Sequence, residues 1–190
     1  MWGKVEGASI TEIINRPKAM TIGDTQYPHN IFSVWEVADL RGIGIYEITV
    51  DYTNHKDSEY YQNTDITYTW DSDNKTVTGT YGTATARPLA DVLYTAEDES
   101  DGLGTEGDIK QYGLKDRHKG LINKQAAGYL TKYDWYTLRA ASGGSAIPSS
   151  VSTYQAAVRT KANQHTTAIN AAANVDALAA LTFDWPSEPS

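Results

Sequence analysis

Cysteine is missing altogether from this chain of 190 residues. That absence removes disulfides, thiolate metal sites and a cysteine nucleophile from consideration. Basic residues are also short: 16 Lys and Arg stand against 24 Asp and Glu, leaving a net charge of -8. A surface of that sign repels a phosphate backbone, so nucleic-acid binding is not expected. The densest basic stretch runs from Lys110 through Lys115, Arg117, Lys119 and Lys124 to Lys132. It is interleaved with apolar residues and reads as the solvated face of a helix. No segment approaches the run of about 18 apolar residues that a membrane helix needs. The opening Met1-Trp2-Gly3-Lys4-Val5-Glu6 lacks the apolar core of a secretory signal. The expectation is a soluble product with no membrane partner.

Chemical signatures are equally sparse. His29, His55, His118 and His165 are scattered, and no two show the i, i+4 spacing of a zinc-binding helix. There is no nucleophile elbow, no P-loop and no glycine fingerprint after a strand. Ser142-Gly143-Gly144-Ser145 follows a helical pattern instead of preceding one, so it reads as a helix stop. Carboxylate pairs suited to glycoside hydrolysis can be drawn from any acidic chain, and nothing singles one out here. No enzymatic activity, cofactor or metal is expected.

What the chain does have is aromatic: 13 Tyr and 5 Trp in a composition that is 40% hydrophobic. Large rings must supply much of the buried area, and some of that surface is available to a partner. Residues 1–94 read as a small antiparallel β domain with one short helix. Lys4–Glu6 and Ser9–Ile14 are β-prone, and so are Ile45–Tyr52 and Ile66–Trp70. Thr76–Tyr81 returns as a hairpin partner across Asp73-Asn74-Lys75. Ser33 followed by Glu36 has capping-box spacing, which predicts a helix over Ser33–Leu40.

Residues 95–107 are acidic, glycine-rich and nearly without apolar anchors, so they read as a linker. Glu97 to Asp108 also places oxygen donors at spacings like those of a calcium loop. However, Gly104 stands where such a loop wants an apolar residue, and Asp108 replaces the bidentate Glu. Residues 108–190 read as a helical hairpin or small bundle, giving an α+β fold class overall. Asp108 is placed to cap a first helix, with Leu114, Leu121, Ile122, Ala126 and Tyr129 along it. Asp134 is expected to cap a short helix through Ala141. A long one over Ser150–Ala173 carries Val151, Tyr154, Val158, Ala162, Ile169 and Ala172 on one stripe. Asn174 caps a last helix. Trp135 and Tyr154 are expected in the core between these helices.

Three groups of residues carry a resemblance. They are Gly42-Ile43-Gly44-Ile45-Tyr46 after the Trp35 segment, and Thr78-Gly79-Thr80-Tyr81 leading to Arg87-Pro88-Leu89-Ala90-Asp91. The third is the module from Asp134-Trp135-Tyr136 through Ile147-Pro148 and Tyr154 to Val175-Asp176-Ala177-Leu178. In these the chain resembles the tail-fibre assembly and tail-accessory proteins of bacteriophages. The acidic stretch Glu97–Gly107 departs from that pattern. The resemblance implies a chaperone that binds the distal part of a tail fibre and works in the host cytoplasm during assembly. The alternative it implies is a structural component of the virion tail: a fibre adaptor, baseplate or tail-tip subunit. A lytic enzyme is a third reading, without a motif behind it. The expected partner is a fibre or other tail protein, with self-association as a further option. The surplus of rings on the N-terminal sheet places the partner-binding surface at Trp35, Tyr46, Tyr52, Tyr68 and Trp70.

Overall fold

A computed structural model describes residues 1–189 and is of the mixed α and β class, with a curled N-terminal sheet and C-terminal helices. It divides into two compact units, Met1–Thr85 and the chain from Ala86 onward.

The first unit begins with two hairpins, β1 (Trp2–Glu6) with β2 (Ser9–Ile14), and β3 (Met20–Ile22) with β4 (Thr25–Tyr27). Each turns through a two-residue loop opened by a glycine, Gly7 at φ +63° and Gly23 at φ +58°. That is the conformation a tight hairpin requires at its first central position. Two short helices follow, α1 (Ile31–Val34) and α2 (Val37–Gly42). The single helix expected over Ser33–Leu40 is thus broken at Trp35 and Glu36, whose backbones are extended. Ser33 does not cap a helix, because its hydroxyl donates back to the Asn30 carbonyl at 3.0 Å.

The remaining strands are β5 (Ile45–Asp51), β6 (Tyr61–Gln62), β7 (Ile66–Asp71), β8 (Thr76–Tyr81) and β9 (Thr85–Ala86). The main sheet has the order β2-β1-β5-β8-β7. β5 pairs antiparallel with β1 but parallel with β8, so the sheet is mixed and the antiparallel expectation is corrected. A parallel pair needs a long crossover, which here is the whole stretch from Tyr52 to Asn74–Lys75. The expected β7–β8 hairpin is present. Asp71 shapes its loop by accepting from the Asp73 and Asn74 amides at 2.9 and 3.0 Å and from Asn74 Nδ2 at 2.7 Å.

Alternation along β5 sends Ile45 to one side and Tyr46, Ile48 and Val50 to the other. On the Ile45 side a core forms with Ile31 and Leu40, flanked by Trp2, Phe32 and Tyr27. Each of those three fully buried aliphatic side chains contributes about 1.5–3 kcal/mol of transfer free energy. On the other side the outer strands β2 and β7 approach one another, which curls the sheet. In the β7–β8 hairpin Tyr68 stands opposite Gly79 on β8, where a Cβ would lie 2.8 Å from Ile66 Cγ2 and 2.9 Å from Tyr68 Cε1. Only glycine leaves that space.

The second unit contains β10 (Val92–Leu93), α3 (Ala96–Ser100), β11 (Ile109–Gln111) and α4 (Leu114–Thr131). These are followed by α5 (Asp134–Ala141), α6 (Ser149–Ala171) and α7 (Val175–Ala179). Residues 95–107 are not a linker between domains. They form the far end of the β10–β11 pair, inside this unit. Thr95 and Asp98 make a reciprocal capping box at the start of α3. Lys110, from the returning strand, binds Asp98 Oδ1 at 2.6 Å and lies over the Tyr94 ring. Part of the acidic charge that suggests disorder in composition therefore serves the α3 cap and an ion pair between α3 and β11. Lys110 holds the Asp98 carboxyl below the usual carboxylate range, and Asp98 raises Lys110 in turn.

Asp108 does not cap the first long helix; α4 starts six residues later. Its exposed amides are met by the segment before β10. Gly113 N–H donates to Asp91 Oδ1 at 2.7 Å, Leu114 N–H to the Pro88 carbonyl at 2.9 Å, and Lys115 N–H to the Leu89 carbonyl at 3.1 Å. These contacts satisfy donors that a helix start leaves without partners.

Helices α4 and α6 pack as an antiparallel pair: Lys115, near the start of α4, donates to the Asn170 carbonyl near the end of α6 at 2.7 Å. Leu114, His118, Ile122 and Ala126 form the buried stripe of α4, and Leu121 lies outside it. On α6 the buried residues are Val151, Tyr154, Gln155, Val158, His165 and Ile169, largely the stripe expected. Asn174 caps α7 by accepting from Ala177 N–H at 2.8 Å.

Candidate functional site

The five rings singled out on the N-terminal sheet do not form one surface. Tyr46 on β5 and Trp70 on β7 pack against each other with centroids 4.4 Å apart, and both are half-buried. Tyr68 lies on the same side, with its hydroxyl 3.6 Å from Met1 Sδ. These three fill the inner side of the curled sheet. Trp35 stands with the α1–α2 layer, edge-on to Tyr27 at 5.6 Å, and is 36% exposed. Tyr52, just past the end of β5, is 60% exposed. It shares a three-ring cluster with His55 and Tyr81, whose centroids are 4.8 Å apart. Of the five, Tyr52 and Trp35 offer the most surface.

The second unit presents an exposed apolar face of its own, on α5. None of its eight residues is buried. Trp135 is 50% exposed and Leu138, three residues on and on the same face, is 69% exposed. The expectation that Trp135 belongs to the helical core is overturned. Its ring stacks on Tyr136 at 3.8 Å and lies under the Arg139 guanidinium at 4.9 Å, on the surface of its own helix. Asp134 is the first helical residue and makes no side-chain cap. Arg139 Nη2 donates to the Ala146 carbonyl at 3.2 Å, which ties α5 to the turn that follows it. An Arg stacked on Trp is a combination enriched at the centres of binding surfaces.

Tyr154 does belong to the core, being 4% exposed among Ala126, Val158 and Tyr133. Its hydroxyl is buried without a hydrogen-bond partner, and burial pushes its pKa up, with the Glu188 carboxylate adding to the effect.

The segment after Leu181 was not anticipated as structural. It lies back along the α4–α6 pair. Trp185 sits between Tyr129 and His165, at 5.2 and 5.3 Å, and its indole N–H donates to Gln125 Oε1 at 3.1 Å. His165 meets Phe183 at 5.1 Å on the other side, and its Nε2–H donates to the Asp184 carbonyl at 2.8 Å. Asp184 pairs with Lys161 at 2.6 Å, and Glu188 pairs with Lys132. Lys161 keeps the Asp184 carboxyl below its ordinary range, and Glu188 raises Lys132. The available sequence signal was modest: a Phe-Asp-Trp-Pro run after the last helix, without a periodicity to attach it to.

Among the described residues no group of three or more His, Asp or Glu is arranged to hold a metal ion. Two carboxylates of the acidic stretch are engaged within it, Asp98 by Thr95 and Lys110, and Glu99 by the Glu106 amide. No helix among the described residues is long and apolar enough to cross a membrane. Compared with models of protein families, with curated proteins and with solved structures, the chain matches none.

Proposed function

We propose that this chain is a non-enzymatic assembly factor that binds the distal part of a phage tail fibre. The observation that carries a binding role is the exposed Trp135–Leu138 face of α5, where a helix that buries none of its residues presents a Trp and a Leu to solvent, the Trp ring backed by the half-buried Arg139. Apolar groups at that spacing are what a partner's groove or unpaired sheet surface covers. Fibre tips are β-rich trimers that expose edges and apolar surface before they close, and a helix face that masks such surface suppresses aggregation. The specific partner comes from the resemblance in sequence, and Tyr52 with its ring cluster is a second contact region on the first unit.

The test is co-expression of the C-terminal part of the fibre with the full chain. Soluble trimeric fibre should depend on the chain, and replacing Trp135 and Leu138 together by Ser should abolish that dependence while leaving the chain's melting temperature within a few degrees. A parallel Tyr52→Ser variant measures the contribution of the first unit. Fibre that trimerises equally well alone, with no complex on mixing, refutes the proposal.

A further inference from the structure

We propose that the groove between α4 and α6 is a docking site for an acidic, aromatic-anchored peptide segment of a partner protein, and that the chain's own Phe183–Glu188 is the resident competitor. The groove is defined by what already fills it. Its centre is a slot between Tyr129 and His165 that takes an indole, with Gln125 accepting the indole N–H. Its two ends are cationic, Lys161 beside one carboxylate and Lys132 beside another, so an incoming segment is read as acid, aromatic ring, acid. His165 adds a directional element, because its Nε2–H binds a main-chain carbonyl next to the anchor and fixes the register of the segment.

Three observations argue that the resident can be displaced. The segment is neither helix nor strand, so releasing it breaks no ladder. Both flanking ion pairs are solvent-exposed, and pairs of that kind contribute little net stability. Beside the anchor a cavity of about 440 Å³ stays open, lined by Gln125, Gly128, Tyr129 and Lys132 with Phe183 and Trp185. The groove is therefore larger than its occupant, and a foreign segment can gain contacts that the resident lacks. The same reasoning disfavours a second copy as the occupant. An identical segment gains nothing in the cavity and must compete against a tethered one, whose effective concentration is in the millimolar range. This inference uses none of the α5 surface, so it stands or falls separately from the fibre proposal.

The probe is a fluorescein-labelled synthetic peptide with the sequence of Leu181–Ser190, titrated with full-length protein and followed by anisotropy. The unaltered chain should bind it weakly, because its own segment competes. Trp185→Ala, which empties the slot, should bind at least about tenfold more tightly, since a tenfold change needs a loss of only about 1.4 kcal/mol in the competing contact. A peptide carrying Ala in place of its Trp should not bind. Because Trp185→Ala can disturb the unit, the full chain with Asp184→Asn and Glu188→Gln serves as a second release variant, with a smaller gain expected in the same direction. Circular dichroism verifies that each variant is folded. The proposal is overturned if folded variants bind no peptide, if they bind no better than the unaltered chain, or if both substitutions unfold the chain. It is also overturned if the unaltered chain is a dimer that Trp185→Ala dissolves, which would make a second copy the occupant.

Discussion

Gly113→Ala should destabilise the second unit, whereas the same change inside the helix that Gly113 caps should stabilise it. A Cβ at Gly113 would stand 2.3 Å from the Ala90 carbonyl carbon and 2.7 Å from the Leu89 oxygen. Both are main-chain atoms, so no side chain can swing away, and the Pro88–Asp91 segment must move as a whole. That segment supplies the three acceptors for Gly113, Leu114 and Lys115. At about 0.5–1.5 kcal/mol net for each bond, losing them costs roughly 1.5–4.5 kcal/mol. The intrinsic preference adds to this cost, since Gly113 is the N-cap of α4 and glycine is favoured over alanine at that position. The control lies in the same helix. Gly120 and Gly128 have nothing within 4 Å of where a Cβ would be. Alanine at each should stabilise by about 0.5–1 kcal/mol, through helix propensity and a less flexible unfolded chain. Urea denaturation of the three variants, followed by helical circular dichroism, measures all three differences. If Gly113→Ala shifts the midpoint upward like the other two, the capping of α4 by the Pro88–Asp91 segment is refuted.

Tyr154→Phe removes a buried hydroxyl that has no partner. It should therefore be neutral or stabilise by up to about 1 kcal/mol, and a loss above that in thermal denaturation would reveal a hydrogen bond to that oxygen. The Asp98–Lys110 tie has two pH limits. Asp98 titrates below its ordinary value, so its contribution is present above about pH 3.9 and is lost as pH falls through the lowered value. Lys110 titrates above its ordinary value, so the same tie is present below about pH 10.4 and is lost as pH rises through the raised value. The Asp98 carboxyl carbon shift in an NMR titration should show the lowered midpoint, and Lys110→Gln should return it toward normal; a midpoint already normal in the unaltered chain contradicts the pairing.

The long helix α6 was legible because a buried stripe at 3.6-residue spacing is a local property. Val151, Tyr154, Val158 and Ile169 announce it within one window of sequence. The β7–β8 hairpin was legible for the same reason, with its turn residues beside its strands. The parallel pairing of β5 with β8 was not, since it joins Ile48 to Val77 across the whole Tyr52–Lys75 crossover and no local pattern encodes that register. The order of residues 95–107 was not legible, because composition counts charges without their partners, and Lys110, which neutralises Asp98, comes from β11 beyond that stretch. The exposure of Trp135 was not legible, because a large ring at the start of a short helix resembles a core residue. Arg139, one turn on, instead holds it flat on the surface. Among the rings proposed for binding, the sequence could not separate those that the curl of the sheet conceals, Tyr46, Tyr68 and Trp70, from those it leaves outside.

The position of β5 has a consequence for how the first unit comes together. The pairs β1–β2 and β7–β8 are hairpins that can close on their own, each from neighbouring residues. β5 belongs to neither; it is the seam that joins them, with Trp2 opposite Glu47 on one side and Val77 beside Ile48 on the other. Both of its pairings close long loops, which makes them the slow step of assembly. Until β5 is seated, β1 and β8 each present an open edge that another chain can pair with. A substitution in β5 should therefore lengthen the life of a two-hairpin state before it measurably weakens the finished sheet. During synthesis the vulnerable interval lasts until Tyr81, at the end of β8, has left the ribosome.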